Sequence, residues 1–161
     1  MTDNYIQIEN KEVLKLGIRT SDGVDTGKFL EFDLDDTGLL LRYKEMIEKD
    51  KKNKENLKNQ LYLIEKRPDI KGKKLLTKNE EDKLRALDEF FKKEEEVYDM
   101  FLGEGGVKKL LYGRKLGWTS LKEIDEIIEK QISPKLNITM DSITNKIKEK
   151  YGTKKDSKEV L

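Results

Sequence analysis

The chain is 161 residues long, 42 % of them Asp, Glu, Lys or Arg and 35 % hydrophobic, with 34 basic and 33 acidic side chains and a net charge of +1. A typical domain is about 25 % charged, so this core is thin for its length and elongated helices or a shared oligomeric core fit the balance better than a large globule. Histidine and cysteine are both absent, which excludes disulfides, thiolate nucleophiles, imidazole or thiolate zinc sites and any Ser-His-Asp arrangement.

Two apolar runs open the chain, Glu12–Arg19 and Lys28–Leu34, and both partly alternate with the period of a strand. Asp22-Gly23 lies between them, a dipeptide that suits a turn because glycine takes positive φ at no steric cost. A β-hairpin follows from this spacing. A lone hairpin is marginal in water, so a helix or a second chain has to cover its apolar face.

A helix is expected from Asp35 or Asp36, either of which can act as N-cap. Leu39, Leu40, Tyr43, Met46 and Ile47 space its first part, and Leu57, Leu61 and Ile64 its last. Residues 48–55 between them carry no apolar side chain, so this segment reads as a helix crossing solvent or as a break between two helices. Arg67-Pro68 ends the run, since a residue before proline avoids the α region. Residues 66–78 form a linker with six basic residues and one acid.

Thr77-Lys-Asn-Glu80 has the pattern of a capping box. The helix it opens carries Leu84, Leu87, Phe90, Phe91, Val97, Tyr98 and Phe101 on one face and a strongly acidic opposite face. Gly103-Glu-Gly-Gly106 ends it in a backbone turn, with Gly105 or Gly106 expected at positive φ. A short helix, residues 107–112, runs to a second break at Gly113. Trp118 precedes a last long helix capped by Thr119 or Ser120, with Leu121, Ile124, Ile127, Ile128, Ile132 and Leu136 as its apolar set. Pro134 is expected to kink or restart it. Ile138, Met140, Ile143, Ile147 and Tyr151 continue the pattern into a polar tail. The fold class is therefore mainly α with a short N-terminal β-hairpin (α+β). Its parts are residues 1–34, a helical unit over 35–136 that includes the linker 66–78, and a C-terminal helix and tail over 137–161.

Each candidate site has a plainer reading. Glu94, Glu95 and Glu96 suggest a cation site, but successive helical residues point about 100° apart, so a solvated face is expected instead. Lys71-Gly-Lys-Lys74 could meet phosphates, yet no aromatic residue accompanies it and the next helix carries ten acids against four bases over residues 79–104. Charge balance within the chain, or a flexible loop, is the simpler reading, and nucleic acid is not the expected partner. The glycine turn lacks the spacing of a phosphate loop and follows a helix where such a loop follows a strand. Trp118 reads as a plug in the core. No carboxylate pair stands in an apolar sequence context that would shift its proton affinity, so no enzyme, no catalytic residue, no cofactor and no metal are expected. The expected core, or partner-binding set, is Phe90, Phe101, Leu110, Trp118, Leu121, Ile124 and Ile128. The structural turn is Gly103, Gly105, Gly106 and Gly113. No apolar run approaches the roughly 18 residues of a membrane span, and the start, MTDNYIQIEN, has neither the basic nor the apolar region of a secretory signal, so secretion is not expected.

The order of these parts, above all Val97-Tyr-Asp-Met-Phe-Leu-Gly-Glu-Gly-Gly-Val-Lys-Lys-Leu-Leu-Tyr-Gly113, resembles the tail assembly chaperones of long-tailed phages and prophages of low-GC Gram-positive bacteria. In that family a helix leads into a Phe-Gly-Glu-Gly-like turn, a short helix ending near Phe-Gly or Tyr-Gly, and a closing helix. The likeness covers about Val13 to Leu136 and is sharpest over Tyr98 to Gly113. The Lys-rich middle and the basic linker depart from the pattern. The resemblance implies a non-enzymatic, usually oligomeric protein of the host-cell cytoplasm. Such proteins keep the long tape measure protein soluble, help recruit tail tube subunits around it and leave the finished particle. A structural scaffold or connector of the phage, and a small regulator that binds nucleic acid through the linker, are the alternative readings.

Overall fold

The computed structural model describes residues 4–9, 12–70 and 75–152. The basic segment at 71–74 and the tail at 153–161 lie outside the described residues.

The hairpin pairs β1 (Val13–Arg19) with β2 (Asp25–Asp33), antiparallel, with Leu14 opposite Phe32 and Leu16 opposite Leu30. Alternation puts Ile18, Leu30 and Phe32 on one buried face. β2 starts at Asp25, three residues earlier than its apolar run. The Thr26 hydroxyl donates to the Ile18 carbonyl at 2.7 Å, and an irregularity between Gly17 and Arg19 brings Arg19 opposite Asp25.

The helix after Asp36 is a single one. α1 (Thr37–Lys66) has 30 residues, a rod of about 45 Å. Asp36 caps it by accepting from the Gly38 N–H at 2.8 Å. α2 (Lys78–Leu102) runs back along α1. Both halves of its capping box form: Thr77 N–H donates to Glu80 Oε1 at 3.0 Å, and Glu80 N–H to Thr77 Oγ1 at 3.1 Å. Asn79 is buried, and its Nδ2 closes the end of α1 by donating to the carbonyls of Ile64 and Arg67 at 3.1 and 3.0 Å.

Gly103 (φ 99°) ends α2 and Gly105 (φ 69°) precedes α3 (Gly106–Leu111). Gly106 keeps an ordinary φ and is required for space instead, because a Cβ there would lie 2.7 Å from Leu102 Cβ. The Asp99 carboxylate accepts from the Val107 N–H at 2.9 Å and so caps α3. Tyr112 (φ 45°) and Gly113 (φ 88°) turn the chain again.

α4 (Trp118–Ile127) starts earlier than its hydroxyl residues suggest. Ser120 is not the N-cap; it sits in the first turn and its Oγ accepts from the Gly117 N–H at 2.8 Å. Glu123, one turn on, pairs with Arg114 at 3.3 Å. The chain then makes a π-helical turn over Ile128–Ile132 and continues as α5 (Ser133–Lys150). Pro134 has no N–H to give and sits in the first turn of α5; the Ser133 N–H reaches five residues back, to the Ile128 carbonyl.

The core lies where the hairpin, α1 and α2 meet. Phe101 stacks on Phe32 at 5.3 Å and on Tyr43 at 5.2 Å between ring centres. Val107, Ile124, Ile128, Ile132 and Leu136 close it from the C-terminal side. Among the described residues no helix is long and apolar enough to cross a membrane.

Candidate functional site

Phe90, Phe101, Leu121, Ile124 and Ile128 are all buried inside the chain, and Leu110 is half-buried against them. Trp118 corrects its expectation. It is 54 % exposed, with its ring against Phe90 and Phe91 at 5.3 and 5.0 Å. As the first residue of α4 it leans back over α2, which covers only one side of the indole. Leu84 also lies outside the core and is exposed.

Large apolar side chains are also left uncovered on α1, at Leu41, Ile47, Tyr62 and Leu63, and on α5. Leu136 is the only buried residue of α5. Beyond it Ile138 is 63 % and Tyr151 69 % exposed, and Met140 and Ile147 are exposed as well. Ile138, Ile143, Ile147 and Tyr151 line an open groove of about 380 Å³ against Leu34 and Thr37, at the point where the hairpin passes into α1. Lys135, Lys146 and Lys150 stand along its rim, with Asp35 and Glu12 on the other wall. The arrangement suits an amphipathic segment that brings apolar anchors on one face and carboxylates beside them. At the other end of the chain, Tyr5, Ile6 and Ile8 are exposed too.

A second feature is buried. The segment 48–55 does not cross open solvent: Asn53 is buried, and Asp50 faces inward toward α2. Glu94, expected on a solvated face, is 0 % exposed. Asn53 Nδ2 donates to Glu94 Oε1 at 2.8 Å and to the Phe90 carbonyl at 3.3 Å. Asp50 holds Lys54 at 3.0 Å through one oxygen and hydrogen-bonds with Glu94. The Tyr98 hydroxyl donates to Asp125 in a short bond that ties α2 to α4.

Burial pushes the Glu94 carboxyl up to about 8, and the bond to Asp50 adds to this while Asn53 opposes it. Burial also raises Asp125, against the pull of its bond to Tyr98. Tyr98 is raised by burial first and by Asp125 second. Burial works against the charge of Lys54, but Asp50 outweighs it and the amine moves up.

The sequence does carry a signal for this cluster. Leu39, Tyr43, Met46, Asp50, Asn53, Leu57, Leu61 and Ile64 repeat every three or four residues. Asp50 and Asn53 therefore continue the apolar stripe through the apparent gap. In α2, Ala86, Phe90, Glu94, Val97 and Phe101 do the same with Glu94. Polar residues on a stripe that is apolar before and after them are buried polar residues.

The chain matches no family model, no curated protein and no solved structure in these comparisons.

Proposed function

We propose that this protein is a non-enzymatic assembly chaperone of the long-tailed phage kind, acting in the host cytoplasm on the tape measure protein and on tail tube subunits gathered around it. The observation that supports this reading is the groove on α5, an unpartnered apolar face rimmed by lysines. A holdase needs such a face exposed, with dense charge elsewhere to keep the complex in solution. A helix of the tape measure protein lies in the groove, its apolar side chains on Ile138, Ile143 and Ile147 and its acidic residues toward Lys135, Lys146 and Lys150. The near-neutral net charge leaves copies free to associate.

The test is co-expression with the tape measure protein of the same phage, followed by size-exclusion chromatography at low and high salt. Soluble co-elution that persists at high salt supports the reading, because an apolar contact survives screening while a phosphate-driven one weakens steeply. The double variant Ile138→Asp, Ile147→Asp should leave the circular dichroism spectrum unchanged and abolish co-elution. A monomeric chain that leaves the tape measure protein insoluble refutes it. Retention in purified particles would point to a scaffold or connector instead.

A further inference from the structure

Three helices meet at Asp50, Glu94 and the Tyr98–Asp125 bond. Glu94 Oε2 and Asp50 Oδ1 are both buried, and neither receives a hydrogen from any donor among the described residues. Two carboxyl oxygens that bond to one another need a proton between them. One proton on Glu94 resolves both orphans at once: Glu94 donates to Asp50, while its other oxygen keeps the bond from Asn53. Asp50 remains the ionised partner, because Lys54 sits on its second oxygen at 3.0 Å.

The pair is next to an opening. A cleft of about 260 Å³ separates α1 from α4 and the π turn, and Asp50, Tyr98, Asp125, Ile128 and Glu129 line it. We propose that the single proton shared by Asp50 and Glu94 keeps α4 and the π turn seated on α1, and that its loss opens this cleft. The charges facing the pair decide the direction. α1 contributes Asp50 and the cation Lys54; α2 contributes Glu94 and Tyr98; α4 and the π turn contribute Asp125 and Glu129. Lys54 already balances Asp50. A second full charge on Glu94 would meet the Asn53 amide and share the cation Lys54 with the Asp50 carboxylate already beside it. A buried carboxylate without a cation of its own is far costlier than a hydrated one. Water entering between α1 and α4 relieves that cost, and it can enter there because the opposing wall carries Asp125 and Glu129, which the same water hydrates. One further polar tie, from the Tyr43 hydroxyl to Ser133 Oγ at 3.2 Å, then holds α1 to the start of α5. With Glu94 at about 8, the proton leaves in mildly alkaline solution.

Hydrogen exchange followed by mass spectrometry tests this on the full chain. Peptides over residues 118–132 are compared at about pH 6 and about pH 9, corrected for the intrinsic pH dependence of exchange. Protection there should fall about tenfold for each pH unit as the pH rises toward the midpoint near 8, and level off above it. Glu94→Gln, whose amide donates to Asp50 at every pH, should keep its acid-side protection at both. Equal protection of the native protein at the two pH values overturns the proposal, as does a Glu94→Gln chain that loses protection like the native one. Carbon-13 spectra of glutamate-labelled native protein give a reading that needs no variant. One carboxyl titrating near 8 together with the exchange change supports the latch. Titration of every glutamate below about 5 refutes it.

Discussion

Replacing Glu94 by glutamine should make the protein more stable in alkaline solution. The sign follows from proton counting. Below about 4.5 the carboxyl is protonated in both folded and unfolded chains, and above about 8 it is ionised in both. Between these values the folded chain holds a proton that the unfolded chain has released, so stability falls as pH rises. Each tenfold change in proton activity is worth about 1.4 kcal/mol, which over the interval from 4.5 to about 8 gives a ceiling of ~5 kcal/mol. Water entering the site as it ionises lowers the realised loss to about 2–4 kcal/mol. Glutamine keeps the acceptor for Asn53, offers an N–H to Asp50 and has no proton to lose.

For a chain of this size ~1 kcal/mol moves Tm by about 2–4 °C, so Glu94→Gln should melt roughly 5–15 °C above the native protein near pH 9 and within a few degrees of it near pH 5. The assay is thermal unfolding by circular dichroism from pH 5 to pH 9 at constant ionic strength. Asp125 is also raised and adds a slope of the same sign, so the variant flattens the profile without levelling it. A native profile already flat over this range, or a variant that melts lower at every pH, refutes the reasoning.

Other substitutions probe the frame that holds these features. Ile124→Ala removes a fully buried side chain beneath α4 and should cost about 2–5 kcal/mol, read as a lower urea midpoint with an unchanged m-value. Gly106→Ala places a Cβ 2.7 Å from that of Leu102 and should cost about 1–3 kcal/mol, seen as a Tm drop of several degrees. Asn79→Ala takes the Nδ2 donor from the Arg67 carbonyl and leaves the Ile64 carbonyl with the Arg67 N–H alone, and a loss of about 1–3 kcal/mol in chemical unfolding is expected.

Local chemistry made much of the fold legible. Asp22-Gly23 marked the hairpin turn, and Gly23 holds φ 82°. Asp36 and the Thr77–Glu80 box marked two helix starts, because a cap is satisfied within four residues of itself. The glycine turn after α2 was legible for the same reason, although its glycines divide the work: Gly103 and Gly105 supply left-handed backbone and Gly106 supplies room. The start of α4 was misread because Gly117 caps it without a side chain, while the nearby hydroxyls of Thr119 and Ser120 look like caps. Glu94 was misread for a different reason. The partners that bury it, Asp50 and Asn53, stand on another helix more than forty residues earlier, and runs such as Glu94-Glu-Glu96 usually face water. Composition hides that residue where periodicity reveals it.

The same comparison of stripe and composition separates α5 from the other long helices. α2 buries eight side chains and α1 four, whereas α5 buries Leu136 alone, near its start. A peptide helix of fewer than about 12–15 residues is marginal in water without an apolar face packed on something. The part of α5 beyond Leu136 is about that long, and Ile138, Ile143 and Ile147 there line a groove rather than a core, while Met140 is exposed outside it. Propensity does not explain why Ile138, Met140, Ile147 and Tyr151 occur there, since lysine, glutamate or alanine would make as good a helix at less risk of aggregation. Burial against a partner is the account that the proposed function gives of this stripe. That is the physical content of the proposal that α5 is a docking helix, and failure of the chain to co-elute with the tape measure protein in the co-expression experiment would remove it.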